Sequence, residues 1–375
     1  MTTLIHVGKH FDKSPKSKVH GKTMHKTDHI KYLGDTVHES GKISYNIAER
    51  RAKGYAAFAE IRATLEDVLL GKYRIQIGLQ LRQAIFVNGV LVNSEVWHGV
   101  KPSDLDILIK IDHQILRYIC GAHAKTPIEF LYMETGSLPL EFIVSCRRMI
   151  YLQVILKRDN NELLKRVYLA QKQNPTEGDY SKLVIDDYSK IDQEINEDAI
   201  IAMSEFQYKN YIKKHIKQAA FEHLKDIQKS HSKVRDIKYD KFMTQPYLTS
   251  STFRNSEAIT LSALRSHTLR GFKSNFSSWY KPNLMGSLSN LCKEEDTQRH
   301  MLNCKALLPE LKPEHKQLIN TVKYEDIYGS TEAQMRAVNM FTILLEIREG
   351  LQQAATPASG SSLVATPLPG GDGGC

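Results

Sequence analysis

Apolar residues between positions 46 and 173 recur at the spacing of an α-helix, and this pattern limits the fold more than any other feature. Tyr55, Phe58 and Ile61 would share one face of a first helix, because residues three and four apart lie on the same side. Similar apolar stripes follow at 79–91, 103–119, 140–158 and 161–173. The last helix should stop before Pro175, since proline disfavours helix at the preceding residue. The sequence therefore predicts a mainly α fold built around a helical bundle.

Changes in composition divide the chain into five segments. Residues 29–37 form a β-type run closed by Ser40 and Gly41, which predicts a strand and a turn before the first helix. Ser103 and Asp104 are typical of a helix N-cap. The expected segments are a β-containing edge at 1–45, a helical bundle at 46–184, an acidic linker at 185–205, a basic helical domain at 206–350 and a disordered tail at 351–375.

Charge and cysteine usage favour a polyanionic partner inside the cell. The formal net charge is +9 and the pI is about 9.1, which favours binding to nucleic acid without fixing the fold. Five scattered cysteines form no disulfide framework and fit a reducing compartment. No apolar run reaches the ~18 residues that cross a bilayer. We expect an intracellular protein, nuclear or cytoplasmic, with no membrane partner.

The most specific chemical motif is a cluster of cysteine and histidine near the C-terminus. His300 and Cys304 are four residues apart, one helical turn, so both could face one ion, and Cys292 would join them from a turn. A four-ligand zinc knuckle would need another ligand three residues before Cys292, where the chain has Ser289. The motif predicts a possible zinc site with three of four ligands, and the alternative is a helical turn without metal.

Two cationic segments are candidates for nucleic-acid contact. A basic helix is expected at 206–241, where Lys209 and Lys213 would bind phosphates. Just before the Cys/His motif, cations alternate with aromatic rings that could stack on unpaired bases; the candidates there are Arg265, Arg270, Lys273, Trp279 and Tyr280. The alternative for both segments is an ordinary amphipathic helix whose charges are solvated and whose rings belong to the core.

Motifs for several common chemistries are missing from the sequence. There is no Gly-x-x-x-x-Gly-Lys-Ser/Thr loop, no Gly-x-Ser-x-Gly elbow and no His-Glu-x-x-His pair. Asp186 and Asp187 lie in no strand–turn setting that would aim both at one Mg²⁺, and we expect them to be solvated. No magnesium site and no catalytic residue are predicted for this chain.

Taken together, these residues resemble the C-terminal half of the reverse transcriptase of non-LTR (LINE-type) retrotransposons. Lys31, Tyr32, Leu33 and Gly34, followed by Asp35, are similar to the hairpin that holds the primer end in that family. Weaker similarities lie at 5–9, 46–51, 93–97, 126–127, 134–136 and 147–148. The resemblance implies a palm-edge hairpin at 1–45, a thumb-like bundle at 46–184 and a degenerate CCHC-type knuckle at 289–304.

The chain departs from that family in two ways. It has no Tyr-x-Asp-Asp turn to hold the two Mg²⁺ ions of nucleotidyl transfer, and the fingers and most of the palm are missing. Ser289 stands in place of a zinc-binding cysteine. We therefore expect a fragment that grips RNA or DNA and is inactive alone, with the missing catalytic portion of the same polyprotein as a possible partner. The alternative is a non-catalytic helical module that binds an acidic protein.

Overall fold

The computed structural model describes residues 27–32, 34–67, 73–269, 292 and 297–355, together with four short strands nearer the N-terminus. The chain divides into two compact units, Met1–Leu269 and Arg270–Cys375. The described residues are mainly helical, as the sequence predicts. None of the described helices is both long enough and apolar enough to cross a membrane.

The strands of the first unit are short and form three separate pairs. Their bounds are Thr3–Leu4 (β1), Lys18–Val19 (β2), Lys22–Thr23 (β3), His25–Lys26 (β4), His29–Tyr32 (β5) and Asp35–His38 (β6). β1 pairs parallel with β4, and β2 pairs antiparallel with β3. β5 and β6 form an antiparallel hairpin that pairs His29 with His38. The single strand expected at 29–37 is thus two strands, because Gly34 with φ of +90° reverses the chain.

The first unit contains twelve helices among its described residues. They are Ser44–Asp67 (α1), Arg74–Leu81 (α2), Asn88–Val90 (α3), Pro102–Ile119 (α4), Ile128–Thr135 (α5), Leu140–Leu156 (α6), Leu163–Gln173 (α7), Tyr180–Lys190 (α8), Glu197–Ala202 (α9), Glu205–Ser230 (α10), Pro246–Thr249 (α11) and Asn255–Arg265 (α12). A π-helical segment, Arg82–Val87, joins α2 to α3, and Ser94–Val96 forms a short 3-10 turn.

Helix α4 begins slightly before the position that the sequence indicates. Pro102 occupies the first turn, where its missing N–H costs nothing. The Asp104 carboxylate accepts a hydrogen bond of 3.2 Å from the backbone N–H of Lys101. Lys101 is therefore the N-cap, and Asp104 closes the first turn from inside the helix rather than capping it as Ser103 and Asp104 were expected to do.

Part of the acidic segment 185–205 packs into the core of the first unit. Val184 and Tyr188 of α8 and Ile200 of α9 pack in one apolar cluster with α6 and α10. Asp187 is fully buried and accepts 2.7 Å and 2.6 Å hydrogen bonds from Arg148 and Ser145. The expectation of a solvated Asp187 was wrong, because a charge can be buried when it is paired.

The second unit has its own apolar core. Its described elements are Gln298–Met301 (α13), Pro313–Ile319 (α14) and Thr331–Ala355 (α15), with 3-10 turns at Leu308–Glu310 and Tyr324–Tyr328. Met301, Ile327, Phe341 and Leu344 are completely buried. Because α15 continues to Ala355, the first residues of the expected disordered tail are helical, and 356–375 lie outside the described residues.

Gly136 ends α5 in the left-handed region, with φ of +61°, and a Cβ there would lie 2.5 Å from the backbone of Met243 and Thr244. We expect Gly136→Ala to lower the free energy of unfolding by about 2–4 kcal/mol through strain and overpacking. Gly89→Ala is the matched control, since nothing lies within 4 Å of its position in α3. It should be neutral or stabilise by about 0.5–1 kcal/mol. Urea denaturation of both variants tests this, and equal stabilities would contradict it.

Candidate nucleic-acid interface and metal centre

The longest helix of the first unit presents a row of lysines. α10 begins at a capping box, in which Ser204 and Gln207 satisfy each other's backbone N–H groups. Tyr208, Ile212 and Ile216 are buried and fix the helix on α6. The residues that directly follow these anchors in sequence are Lys209, Lys213 and Lys217, and all three are exposed. Their four-residue spacing places the three ammonium groups along one face.

These lysines line a groove with a volume of about 860 Å³. The apolar floor comes from the leucine before α6 and from α6 itself; it contains Leu138, Ile143, Cys146, Ile150, Tyr151 and Val154. Amide side chains line it as well, from Gln83, Asn88 and Asn93. The groove thus combines a cationic row, hydrogen-bonding amides and an aromatic ring on an apolar floor.

Arg147 adds a fourth cation to the groove and is held in place by α3 and the residue after it. Its guanidinium donates to the backbone oxygen of Leu91 and, at 3.3 Å, to Asn88 Oδ1. Burial lowers the pKa of Arg147, and the carboxylate of Glu95 opposes this effect. Glu95 is the one acid among the lining residues. Four cations against one carboxylate make the groove electropositive.

The thiol of Cys146 lies in the floor of the groove and is affected by the same cations. Burial raises the pKa of Cys146 to about 11, while Lys213, Arg147 and Lys209 act in the opposite direction. A thiol with this pKa is neutral at pH 7 and is a poor nucleophile. Cys146 therefore contributes apolar surface to the groove.

Arg265 is a structural residue, which corrects its sequence assignment as a phosphate contact. Only 5% of its surface is exposed, and its guanidinium donates to Glu134 Oε1 over 2.9 Å and 3.1 Å. Tyr239 donates to the same oxygen, and the ring of Tyr247 lies 5.6 Å from the guanidinium carbon. Burial lowers the pKa of Arg265, but Glu134, Tyr247 and Tyr239 together raise it by more, so the charge is retained. This pair holds α12 against α5.

The hairpin that resembles a primer grip is only partly described. Lys31 is exposed and forms a 3.3 Å ion pair with Glu49, and Tyr32 is 64% exposed. Gly34 forms the turn, and Leu33 lies outside the described residues. The hairpin therefore presents one paired cation and one aromatic ring to solvent. These are groups that can contact a polynucleotide backbone and bases, respectively.

The cysteine and histidine of the second unit come together as the motif predicts. The ligand atoms of Cys292, His300 and Cys304 all lie within 4.8 Å of one another, and Cys292 Sγ is 3.2 Å from His300 Nε2. Thr297 caps α13 and orients His300 by accepting its backbone N–H. Burial raises the pKa of Cys304 above its ordinary value. These three residues could hold a metal ion.

Several predicted site residues lie outside the described part of the chain. These are Arg270, Lys273, Trp279, Tyr280 and Ser289. Sequence reasoning missed Lys217 and the amides of the groove. The four-residue spacing of lysines in α10 could have identified Lys217. The amides had no local signal, because the fold brings them to the groove from a separate part of the chain.

The chain matches no known protein family, no curated protein and no solved structure. Its function has to be inferred from the residues and geometry described above.

Replacing Arg265 tests whether it acts in folding or in binding. Arg265→Met leaves Glu134 buried without its partner, so we expect the free energy of unfolding to fall by about 3–5 kcal/mol. Where the variant is folded, its affinity for single-stranded nucleic acid should equal that of the wild type. Arg254→Met is the control for stability, since this arginine is highly exposed and its removal should cost less than about 1 kcal/mol. Denaturant titration and filter binding give the two readouts, and weakened affinity with unchanged stability would restore the sequence assignment.

Proposed function

We propose that this protein binds a single strand of RNA or DNA in the groove between α6 and α10. The observation that carries the proposal is the row of Lys209, Lys213 and Lys217 beside Arg147, with Glu95 as the one opposing acid in the lining. Neutralised phosphates release counterions, which supplies most of the affinity of such sites. The residues on the floor of the groove favour a single strand over a duplex.

The floor of the groove supports binding of unpaired bases. Tyr151 offers a ring face for stacking, and stacking contributes about 1–3 kcal/mol per base without demanding a sequence. Gln83, Asn88 and Asn93 add amide groups to the lining, and an amide can exchange its present hydrogen bonds for ones to base edges. Paired bases would expose neither their faces nor their Watson–Crick edges to these groups. Sequence preference would therefore be modest.

The lysines of the groove are available for phosphates. Among the described residues, none of Lys209, Lys213 and Lys217 forms an ion pair, whereas Lys225 and Lys229 further along α10 pair with Glu222 and Asp226. A lysine that is already paired on the surface gains less from a phosphate, because it must give up its partner. The proposal thus assigns binding to the first half of α10 and not to the whole basic helix.

In this proposal the protein is the nucleic-acid-binding C-terminal part of a retrotransposon reverse transcriptase. The groove would grip the template–primer, the hairpin of Lys31, Tyr32 and Gly34 would face its end, and the catalytic aspartates would lie on another portion of the polyprotein. The resemblance of the sequence motifs supports this origin. Mixing experiments with that portion would show its contribution, because this chain alone should not extend a primer with Mg²⁺.

A second candidate function is binding of a protein partner, which exposed apolar residues of α7 and α10 favour. Leu163 and Phe206 are each 74% exposed, and Val167 is 45% exposed. Large exposed apolar side chains are common at protein interfaces when they form a contiguous patch. Charge reversal in the groove separates the two functions, since nucleic-acid binding depends on the lysines and an apolar contact does not.

Reversing two charges in the groove should weaken polynucleotide binding. We expect Lys209→Glu/Lys213→Glu to lower affinity for a short oligothymidylate by roughly tenfold or more. The slope of log K against log salt concentration should become less steep by about 0.7 for each phosphate that is no longer neutralised. Fluorescence anisotropy across a salt series measures both quantities. The matched control, Lys214→Glu/Lys229→Glu, changes the same charge outside the groove lining and should bind more tightly than the groove variant. If both variants bound equally weakly, net charge alone would explain the loss, and the groove would be rejected as the binding site.

The Cys–His–Cys group holds zinc in this proposal. Thiolate and imidazole are preferred zinc ligands, and bond lengths of about 2.0–2.3 Å place ligand atoms roughly 3–4 Å apart. The 3.2 Å separation of Cys292 Sγ and His300 Nε2 fits this spacing. A fourth position would be filled by Ser289 or by water. The role of the ion would be structural, since it would join the segment before α13 to the core of the second unit.

We expect one equivalent of zinc per chain, measured by elemental analysis after dialysis. Cys304→Ser and His300→Ala should each lower the zinc content by more than half, because a site with three ligands cannot spare another. His315→Ala is the control, as it removes a histidine of α14 that is not in the group. Acidification should release the metal, since protons compete for thiolate and imidazole. Full zinc content in Cys304→Ser would show that the ion binds elsewhere.

A further inference from the structure

A second cavity of about 260 Å³ lies beside the hairpin in the first unit. Its walls are strand β6, the segment that leads into α1, and residues 96–98. The volume is just below the range of about 300–1,000 Å³ that is usual for drug-sized ligands. A group of one ring with its substituents would therefore fit, and a large ligand would not.

Trp97 lines this cavity and carries a buried donor without a partner. Only 2% of its surface is exposed, and Nε1 has no hydrogen-bond acceptor among the described residues. Leaving such a donor unsatisfied costs about 1–3 kcal/mol. Valines 37 and 96 and Ile43 add apolar surface around the indole. The cavity would thus suit a flat ring that packs on apolar side chains.

The acid in the cavity lining does not repel an anionic ligand. Asp35 is paired with the buried guanidinium of Arg50. Its two carboxylate oxygens also accept 2.8 Å hydrogen bonds from Asn46 and Asn93. A carboxylate with these three donors is neutralised and largely saturated. The charge that a ligand meets is therefore set by the remaining lining residues.

Among the other polar residues of the lining, one is a lysine and two are histidines. Lys42 and His98 are exposed, and His38 is half-buried and stacks on Tyr45 with ring centres 3.7 Å apart. Among the described residues Lys42 forms no ion pair. An exposed ammonium group beside an apolar interior matches a phosphate attached to a ring. Together, these features match a nucleotide.

The position of the cavity links it to the groove. Asn93 and Glu95 line the groove, and Val96, Trp97 and His98 line the cavity, so one short turn forms a wall of both. We propose that the cavity receives one unstacked pyrimidine nucleotide of the strand bound in the groove. The base packs on the indole of Trp97, and the phosphate lies against Lys42 and His98. This inference rests on the proposed function, because the same strand occupies both sites.

Photocrosslinking of the full chain tests the inference directly. A short oligothymidylate that carries 5-iodouracil is bound and irradiated, and the modified residue is located by peptide mass spectrometry. We expect a crosslink within 96–98 in addition to crosslinks in the groove. Trp97→Phe reduces the ring surface that packs on the base and should lower affinity about threefold to tenfold. Lys42→Ala should also lower it, whereas Lys53→Ala, an exposed lysine of α1 outside the cavity lining, should not.

The outcomes separate this inference from the proposed function. Crosslinks confined to the groove, together with wild-type affinity in Trp97→Phe and Lys42→Ala, would show that no nucleotide binds in the cavity. Binding in the groove would remain supported. If Trp97→Phe does not fold, the position of the crosslink and the affinity of Lys42→Ala decide whether a nucleotide binds in the cavity. If no oligonucleotide binds, the proposed function fails and thymidine 5′-monophosphate becomes the probe. A shift of the Trp97 indole N–H resonance on its addition would then support the cavity, and no shift would reject it.

Discussion

A buried ion pair between Arg82 and Asp112 is the interaction on which the first unit depends most. Asp112 is fully buried in α4 and accepts two 2.6 Å hydrogen bonds from the guanidinium of Arg82. Tyr132 of α5 donates to the same carboxylate, and Arg82 also donates to the backbone oxygen of Leu138. One arginine thus joins α4, α5 and the residues before α6. Because Leu138 lines the groove, this network also positions part of the candidate site.

The segment that carries Arg82 explains why the groove lies where it does. Arg82–Val87 is π-helical, and such wide turns are uncommon and frequently occur near functional sites. The chain then completes α3, reverses at Asn93, whose φ of +57° is left-handed, and forms the turn that separates groove from cavity. Burial of Arg82 would lower its pKa, but its neighbours, with Asp112 first, together raise it by more. The guanidinium therefore stays charged and keeps this irregular segment in place.

The sequence predicts helices, which depend on neighbouring residues, and misses contacts between residues that are far apart in the chain. Helical periodicity identifies α1, α4, α6 and α7, since each apolar stripe is contained within its own helix. It cannot reveal that Arg265 is paired with Glu134, because 131 positions separate them. An arginine beside aromatic residues has the same local pattern whether it meets a phosphate or a carboxylate. Asp187 was misjudged for the same reason, as its partner Arg148 lies 39 positions earlier.

The cations of the first unit are of two kinds, buried arginines with a distant carboxylate partner and exposed lysines without one among the described residues. Arg82, Arg148 and Arg265 are each less than 10% exposed and are each paired with a buried carboxylate, because an unpaired charge could not be buried. Lysines 209, 213 and 217 have no such partner among the described residues and remain in solvent beside an apolar floor. Of the two kinds of cation, only the second is available to the polynucleotide that we propose as the ligand. The arginines build the scaffold, whereas the lysines of α10 lie in the candidate groove.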